Sequence, residues 1–185
     1  MISGASDNEF LCPVCGETHA LSYRFSPDVK APVAILAVPE DERTERIVLS
    51  LDQCVIDNTS FFLRGRIPIP VHGREEPFIW GVWAEVSPKN FLRAHELWHV
   101  PGRESTPPFA GYLNNEIPLY GNTIDLEVDV QTQVVGRRPS FFVRDATHPI
   151  ATEQRDGISL ERVGEINVAM IHPTNMNEAL KADED

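Results

Sequence analysis

The sequence predicts an α+β fold: mainly antiparallel sheet with a few short helices, and an N-terminal zinc-knuckle-like module. Three observations carry that expectation. Several apolar runs alternate with period two and are separated by turn residues, the pattern of half-buried antiparallel strands. Between and after them stand short segments with helix-start signals, such as Ser87-Pro88. Near the front lies a Cys-Pro-Val-Cys-Gly run, Cys12 to Gly16. Strands in runs with segregated helices suit an α+β layout better than a βαβ one.

Residues 1–38 read as the cysteine-bearing knuckle followed by an irregular, proline-interrupted segment, packed on a main domain over residues 39–175. Pro39 to Arg46 is charged and opens with proline, so a short helix is expected. Ile47–Leu51 and Cys54–Ile56 are apolar and β-branched. Phe61–Val71 reads as a strand whose prolines, Pro68 and Pro70, put its end on a sheet edge or beyond the ladder. After a turn at 72–76, Pro77–Val86 forms its hairpin partner. Its alternation sends Phe78, Trp80, Val82, Ala84 and Val86 to the core.

A helix is expected from Pro88 to about Val100, stopped by Pro101-Gly102. Phe109–Leu113 reads as a short strand. Ile124–Val134 reads as another, with Ile124, Leu126, Val128 and Val130 on one face and Asp125, Glu127, Asp129 and Gln131 on the other. Gly136–Arg138 turns into a partner strand at Ser140–Arg144. Pro149–Arg155 reads as a helical turn, and Ser159–Ala169 as a helix with Leu160, Val163 and Ile166 along one stripe. Residues 176–185 read as a disordered acidic tail.

The chain of 185 residues carries a net charge of −12. That charge repels phosphate backbones and anionic headgroups, which argues against nucleic-acid and membrane partners and for a basic protein partner. No apolar run approaches the roughly 20 residues of a membrane span. Met1–Phe10 holds Asp7 and Glu9 and no apolar stretch, so a cytoplasmic location is expected. Nothing in the sequence fixes an oligomeric state.

Three cysteines occur, Cys12, Cys15 and Cys54. In a reducing compartment an odd count reads as metal binding or buried thiols rather than disulfides. Thiolates two residues apart reach one tetrahedral Zn²⁺ at about 2.3 Å, and Gly16 suits the positive φ such a turn needs. One such pair supplies two ligands where a closed site needs four. His19 is four residues on and Cys54 is the remaining cysteine, so Cys12, Cys15, His19 and Cys54 form the economical zinc site. Reduced cysteines in an exposed turn are the plain alternative. A thioredoxin-like role is disfavoured because the pair does not follow a strand that feeds a helix.

His95-Glu96-Leu97-Trp98-His99 matches the helical zincin pattern, with two histidines on one face and a glutamate placed as general base. A metal-dependent hydrolase built on His95, Glu96 and His99 is therefore the alternative function. Against it, Ser105 stands where extended metzincin spacing requires a third histidine, and Pro101 ends the helix within a turn. A solvated polar face is the simpler reading.

Nine segments together resemble a bacterial family, the domain of unknown function 2199. They are Leu11–Gly16 with His19, Arg43 with Arg46, Leu51–Asp57, Phe61–Gly65, Phe78–Trp83, Gly111–Leu113, Pro118–Tyr120, Gly136–Pro139 and His148–Ile158. The likeness spans about residues 10–166 in order. It implies a bacterial, cytoplasmic, single-domain protein and brings no established activity. The two cysteine segments fall inside the resembling motifs and the His95/His99 pair outside them, which weakens the hydrolase alternative. Those segments also hold Arg64, Arg138, His148, Gln154 and Arg155. With Trp83 and Tyr112 as apolar wall, they are candidates for a pocket that takes a carboxylate or phosphate. The alternative is that the arginines cap strands and the aromatics fill the core. The expected function is a zinc-stabilised, non-catalytic binding or regulatory module, immunity-like in masking a basic protein.

Overall fold

The computed structural model describes residues 9–25 and 30–173. Its elements are β1 (Glu9–Leu11), β2 (Thr18–Ala20), β3 (Arg24–Phe25), α1 (Arg43–Arg46), β4 (Ile47–Leu49), β5 (Gln53–Ile56), β6 (Ser60–Ile69), β7 (Phe78–Val86), α2 (Pro88–Glu96), β8 (Phe109–Leu113), β9 (Glu127–Gln131), β10 (Ser140–Val143), α3 (Pro149–Asp156) and α4 (Leu160–Ile171). Helices and sheet coexist as an α+β fold requires. The expected acidic tail, 176–185, lies outside the described residues.

The sheet is mainly antiparallel, as expected, and five of its strands close into a barrel, which the sequence pattern does not foretell. Strands β6, β7, β8, β9 and β10 pair antiparallel in sequence order, and β10 returns to β6 in parallel at Ser140 and Arg66. An up-and-down ring with an odd number of strands must contain one parallel seam, and this is it. Strands β5 and β4 extend the sheet beyond β6, and β3 adds in parallel to β7.

Period-two alternation fills the barrel. On β7, Phe78, Trp80, Val82, Ala84 and Val86 are buried, as the sequence pattern requires. They lie opposite Ile69, Ile67, Gly65, Leu63 and Phe61 of β6. Phe141 of β10 fills the space that Gly65 leaves: a Cβ on Gly65 would stand 2.2 Å from the Phe141 ring. The size of one side chain thus sets how closely β10 meets β6.

Pro68 pairs with Ile79 of β7 on one side only, and Pro70 lies just past the end of β6 at Ile69. The Arg64 amide donates to Asp52 O and the Arg66 amide to Pro139 O, so even-numbered amides of β6 point away from β7. Pro68 is next in that series, beyond the single β10 pairing, where no ladder bond is demanded of it. Helix α2 begins as expected, with Ser87 Oγ accepting from the Asn90 amide, but ends at Glu96, short of Val100. The Trp98 carbonyl accepts from Arg103 Nη1 instead of a helical amide, and the same guanidinium lies over the Trp98 ring.

Helices α3 and α4 cover the barrel at the Phe78–Trp80 end. Gln154 of α3 donates to the Phe141 carbonyl and accepts from the Val143 amide. Glu153 of α3 joins Tyr120 to Arg162 of α4. No helix among the described residues is long and apolar enough to cross a membrane.

Candidate metal centre

The Cys12–Cys15 turn is closed by its own backbone. The Gly16 amide donates to Cys12 O and the Cys12 amide to Glu17 O, with Gly16 at φ 74°. A residue with a Cβ pays steric strain there, which explains glycine directly after the second cysteine. Strands β1 and β2 flank the turn in antiparallel register, with Phe10 opposite His19. This carries His19 back beside the sulfurs, where Cys15 Sγ and His19 Nε2 are 3.1 Å apart.

The fourth member comes from the other end of the chain. His172 directly follows α4, and one ligand atom each from Cys12, Cys15, His19 and His172 lie within 4.8 Å of one another. Tetrahedral zinc with bonds of about 2.0–2.3 Å sets its ligand atoms about 3.3–3.8 Å apart, so small side-chain rotations suffice. His172 Nε2 is shielded from solvent with no hydrogen-bond partner among the described residues. A buried imidazole nitrogen left without a partner is costly unless something else binds it. The two imidazoles meet edge to face, 6.1 Å between centroids.

At Cys12, burial disfavours the thiolate. The Cys15 and Val14 amides aimed at its sulfur favour it, as does the Cys15 thiol, and together they draw the pKa below the ordinary thiol value. A sulfur so prepared is a better metal ligand. What holds α4 to the hairpin is independent of any metal: Asn167 accepts from the Ser22 amide at 2.8 Å and donates to the Ser22 carbonyl at 2.9 Å.

Cys54, expected as the fourth ligand, does not belong to this cluster. It is fully buried on β5, packed with Val38, Ile56, Phe62 and Trp83. Burial alone pushes its thiol up to about 11. The alternation of β5, which buries Cys54 and Ile56 together, was the available sign of a hydrocarbon environment. His172 offered no comparable sign, because no short-range spacing links it to the cysteines.

The His95–His99 segment does not form a helical pair, since α2 ends at Glu96. His95 Nδ1 lies 2.8 Å from Gln53 Oε1, and its ring stacks on Phe91. Neither histidine enters a group of three or more metal-binding side chains among the described residues.

The candidate pocket residues fall into separate groups: Arg64 and Trp83 are cross-strand partners on β6 and β7 with Arg138 near Arg64, while His148 and Gln154 lie at α3. Arg138 pairs with Asp52 at 2.5 Å, and Arg64 reaches toward the Leu51 carbonyl. Trp83 is buried beside Cys54, whereas Tyr112 is exposed on β8. His148 caps α3 by accepting from the Ile150 amide, and Gln154 is spent on β10 backbone. Arg155, considered with them, pairs with its neighbour Asp156.

Fold and cluster together define a small closed-barrel protein with a Cys₂His₂ grouping that joins its two ends. The chain belongs to the family described as "Uncharacterized protein conserved in bacteria", the domain of unknown function 2199, whose model matches residues 11–158. Cys12, Cys15 and His19 fall within that match, and His172 lies beyond it. No curated protein and no solved structure matches the chain.

Proposed function

We propose that the Cys12–Cys15–His19–His172 cluster holds one structural zinc ion, and that the protein is a non-catalytic binding or regulatory module for a basic protein partner. The observation that carries this is the donor set. Two thiols and two imidazoles from the chain itself supply the four donors that a closed tetrahedral site takes, which would leave no position for a catalytic water. Soft thiolates with imidazole favour zinc over magnesium or calcium, which prefer oxygen donors. The net charge of −12 supports a basic partner, masked in the manner of an inhibitor or immunity protein.

Two measurements test this. Elemental analysis of protein purified without chelator is expected to give one zinc per chain, lost in Cys12→Ser and kept in Cys54→Ser. Zinc that survives Cys12→Ser would refute the site. For the partner, retained proteins from lysate are compared at low and high salt. The expected species is basic and released by salt; retention of none at either salt would refute the binding role.

A further inference from the structure

Outside the metal cluster, the described residues enclose a cavity of about 610 Å³. It lies on the outer face of the barrel, and in this acidic protein five arginines line it. They come from separate elements: Arg24 from β3, Arg66 from β6, Arg103 from the turn after α2, and Arg137 and Arg138 from the β9–β10 turn. Gly81, the cross-strand neighbour of Arg66, contributes no side chain to the floor.

These arginines divide by what they already bind. Arg103 is buried and donates to the carbonyls of Trp98, Gln133, Val134 and Arg137, so it shapes the turn that presents Arg137. Arg138 is paired with Asp52. Arg24, Arg66 and Arg137 form no ion pair with any described residue. The one side-chain hydrogen bond among the three is a long one from Arg66 Nε to Ser140 Oγ, 3.3 Å. Arg66 is half-buried, and burial together with the like charges of Arg137 and Arg24 pushes its guanidinium below its ordinary value. Like charges gathered with no ion pair among the described residues raise the free energy of the unliganded protein, and an anion held between them relieves that. Glu75 and Glu76 also line the cavity without pairing to these arginines, and they offer acceptors for hydroxyl groups.

We propose that this cavity binds a small phosphorylated molecule, with its phosphate held by Arg24, Arg66 and Arg137. Guanidinium forks match phosphate oxygens two at a time, and three forks from three strands or turns suit a tetrahedral dianion better than a planar monoanion. The volume is that of a small-molecule site rather than a single-ion site. Phe25 and Trp98 supply an apolar wall for the organic part. The site is distinct from the metal cluster and does not rest on it.

The test is calorimetric titration of the intact protein at low salt with phenyl phosphate, inorganic phosphate and benzoate. Phenyl phosphate is expected to bind more tightly than either of the others. Arg66→Gln and Arg137→Gln should each weaken it about tenfold or more, the loss of a charge-assisted hydrogen-bond pair. Without ligand, both variants should melt no lower than wild type, because each removes like-charge repulsion; a merely structural arginine would lower the midpoint. Arg155→Gln, outside the cavity, should bind as wild type does. Should Arg66→Gln fail to fold, Arg137→Gln, on an exposed turn, carries the test. The proposal is overturned by absence of phenyl phosphate binding at millimolar concentration, by equal affinity for benzoate, or by unchanged affinity in Arg137→Gln.

Discussion

Replacing His172 with alanine separates a metal that staples the fold from one that merely sits on the knuckle. Cys12, Cys15 and His19 lie within one short hairpin and can hold zinc even in an unfolded chain. His172 differs, because about 150 residues separate it from His19, and closing such a loop in the unfolded chain costs about 5 kcal/mol in the chain-entropy model. The fourth bond is therefore available only to the folded protein. Metal stabilises by the difference between its native and unfolded affinities. That difference corresponds here to one zinc–imidazole bond, about 3–4 kcal/mol for a hundred- to thousandfold affinity gain. At about 2–4 °C per kcal/mol for a chain of this size, chelation should lower the wild-type midpoint by about 5–15 °C. In His172→Ala the three local ligands bind both states similarly, so chelation should shift the midpoint by under about 2 °C. The assay is thermal unfolding by circular dichroism, with and without a zinc chelator. A chelator-induced drop in His172→Ala equal to that of wild type would refute the reasoning.

Three further outcomes follow from the barrel and its outer layer. Gly65→Ala drives a methyl to 2.2 Å from the Phe141 ring and should destabilise by about 1–3 kcal/mol or more, with Phe141→Leu partly relieving it in the double variant; additive losses by denaturant titration would contradict the close approach. Arg103→Ala strands four carbonyls around a buried site and should cost about 3–5 kcal/mol, and Arg103→Lys should restore little because an ammonium lacks the planar fork; a midpoint near wild type in Arg103→Lys would count against it. Cys54, with its thiol pushed up to about 11, should resist alkylation in the folded protein at pH 8 while Cys15 in the chelated protein reacts. Its raised folded value stabilises fully below the unfolded thiol value, and that contribution disappears as pH rises through about 11; mass-spectrometric labelling of Cys54 at pH 8 without denaturant would contradict it.

The parts of this molecule that sequence reading reaches are those set by short-range period. The buried face of β7, from Phe78 to Val86, follows from alternation alone. Ser87 and Ser159 mark helix starts because a serine side chain there can satisfy an amide that lacks a helical partner. Cys12, Cys15 and His19 are legible for the same reason, being spaced for one turn and one hairpin. Barrel closure is not, since it depends on one parallel pairing, Ser140 with Arg66, and on Phe141 fitting over Gly65. The choice between Cys54 and His172 is likewise a matter of tertiary position. Chemistry favoured the cysteine, but β5 turns it into the hydrocarbon core, while the end of α4 delivers an imidazole that no local pattern announces.

The metal cluster and the arginine cavity are joined by only a few residues, from Ala20 at the end of β2 to Arg24 on β3, and this invites the idea that metal controls anion binding. The packing argues otherwise. Arg24 is placed by the pairing of β3 with β7, by the Ile79 amide bonded to Tyr23 O at 2.7 Å, and by the Phe25 ring lying 6.1 Å from both Phe78 and Trp80. Ahead of it, Asn167 already clamps both the amide and the carbonyl of Ser22. None of these bonds involves a metal ligand. A coupling carried past them should amount to less than about 0.5 kcal/mol, or roughly a twofold change in affinity. Titration of phenyl phosphate before and after zinc chelation, well below the unfolding midpoint, measures it directly. A loss of affinity greater than about fivefold on chelation would mean that β3 takes its position from the metal rather than from the barrel.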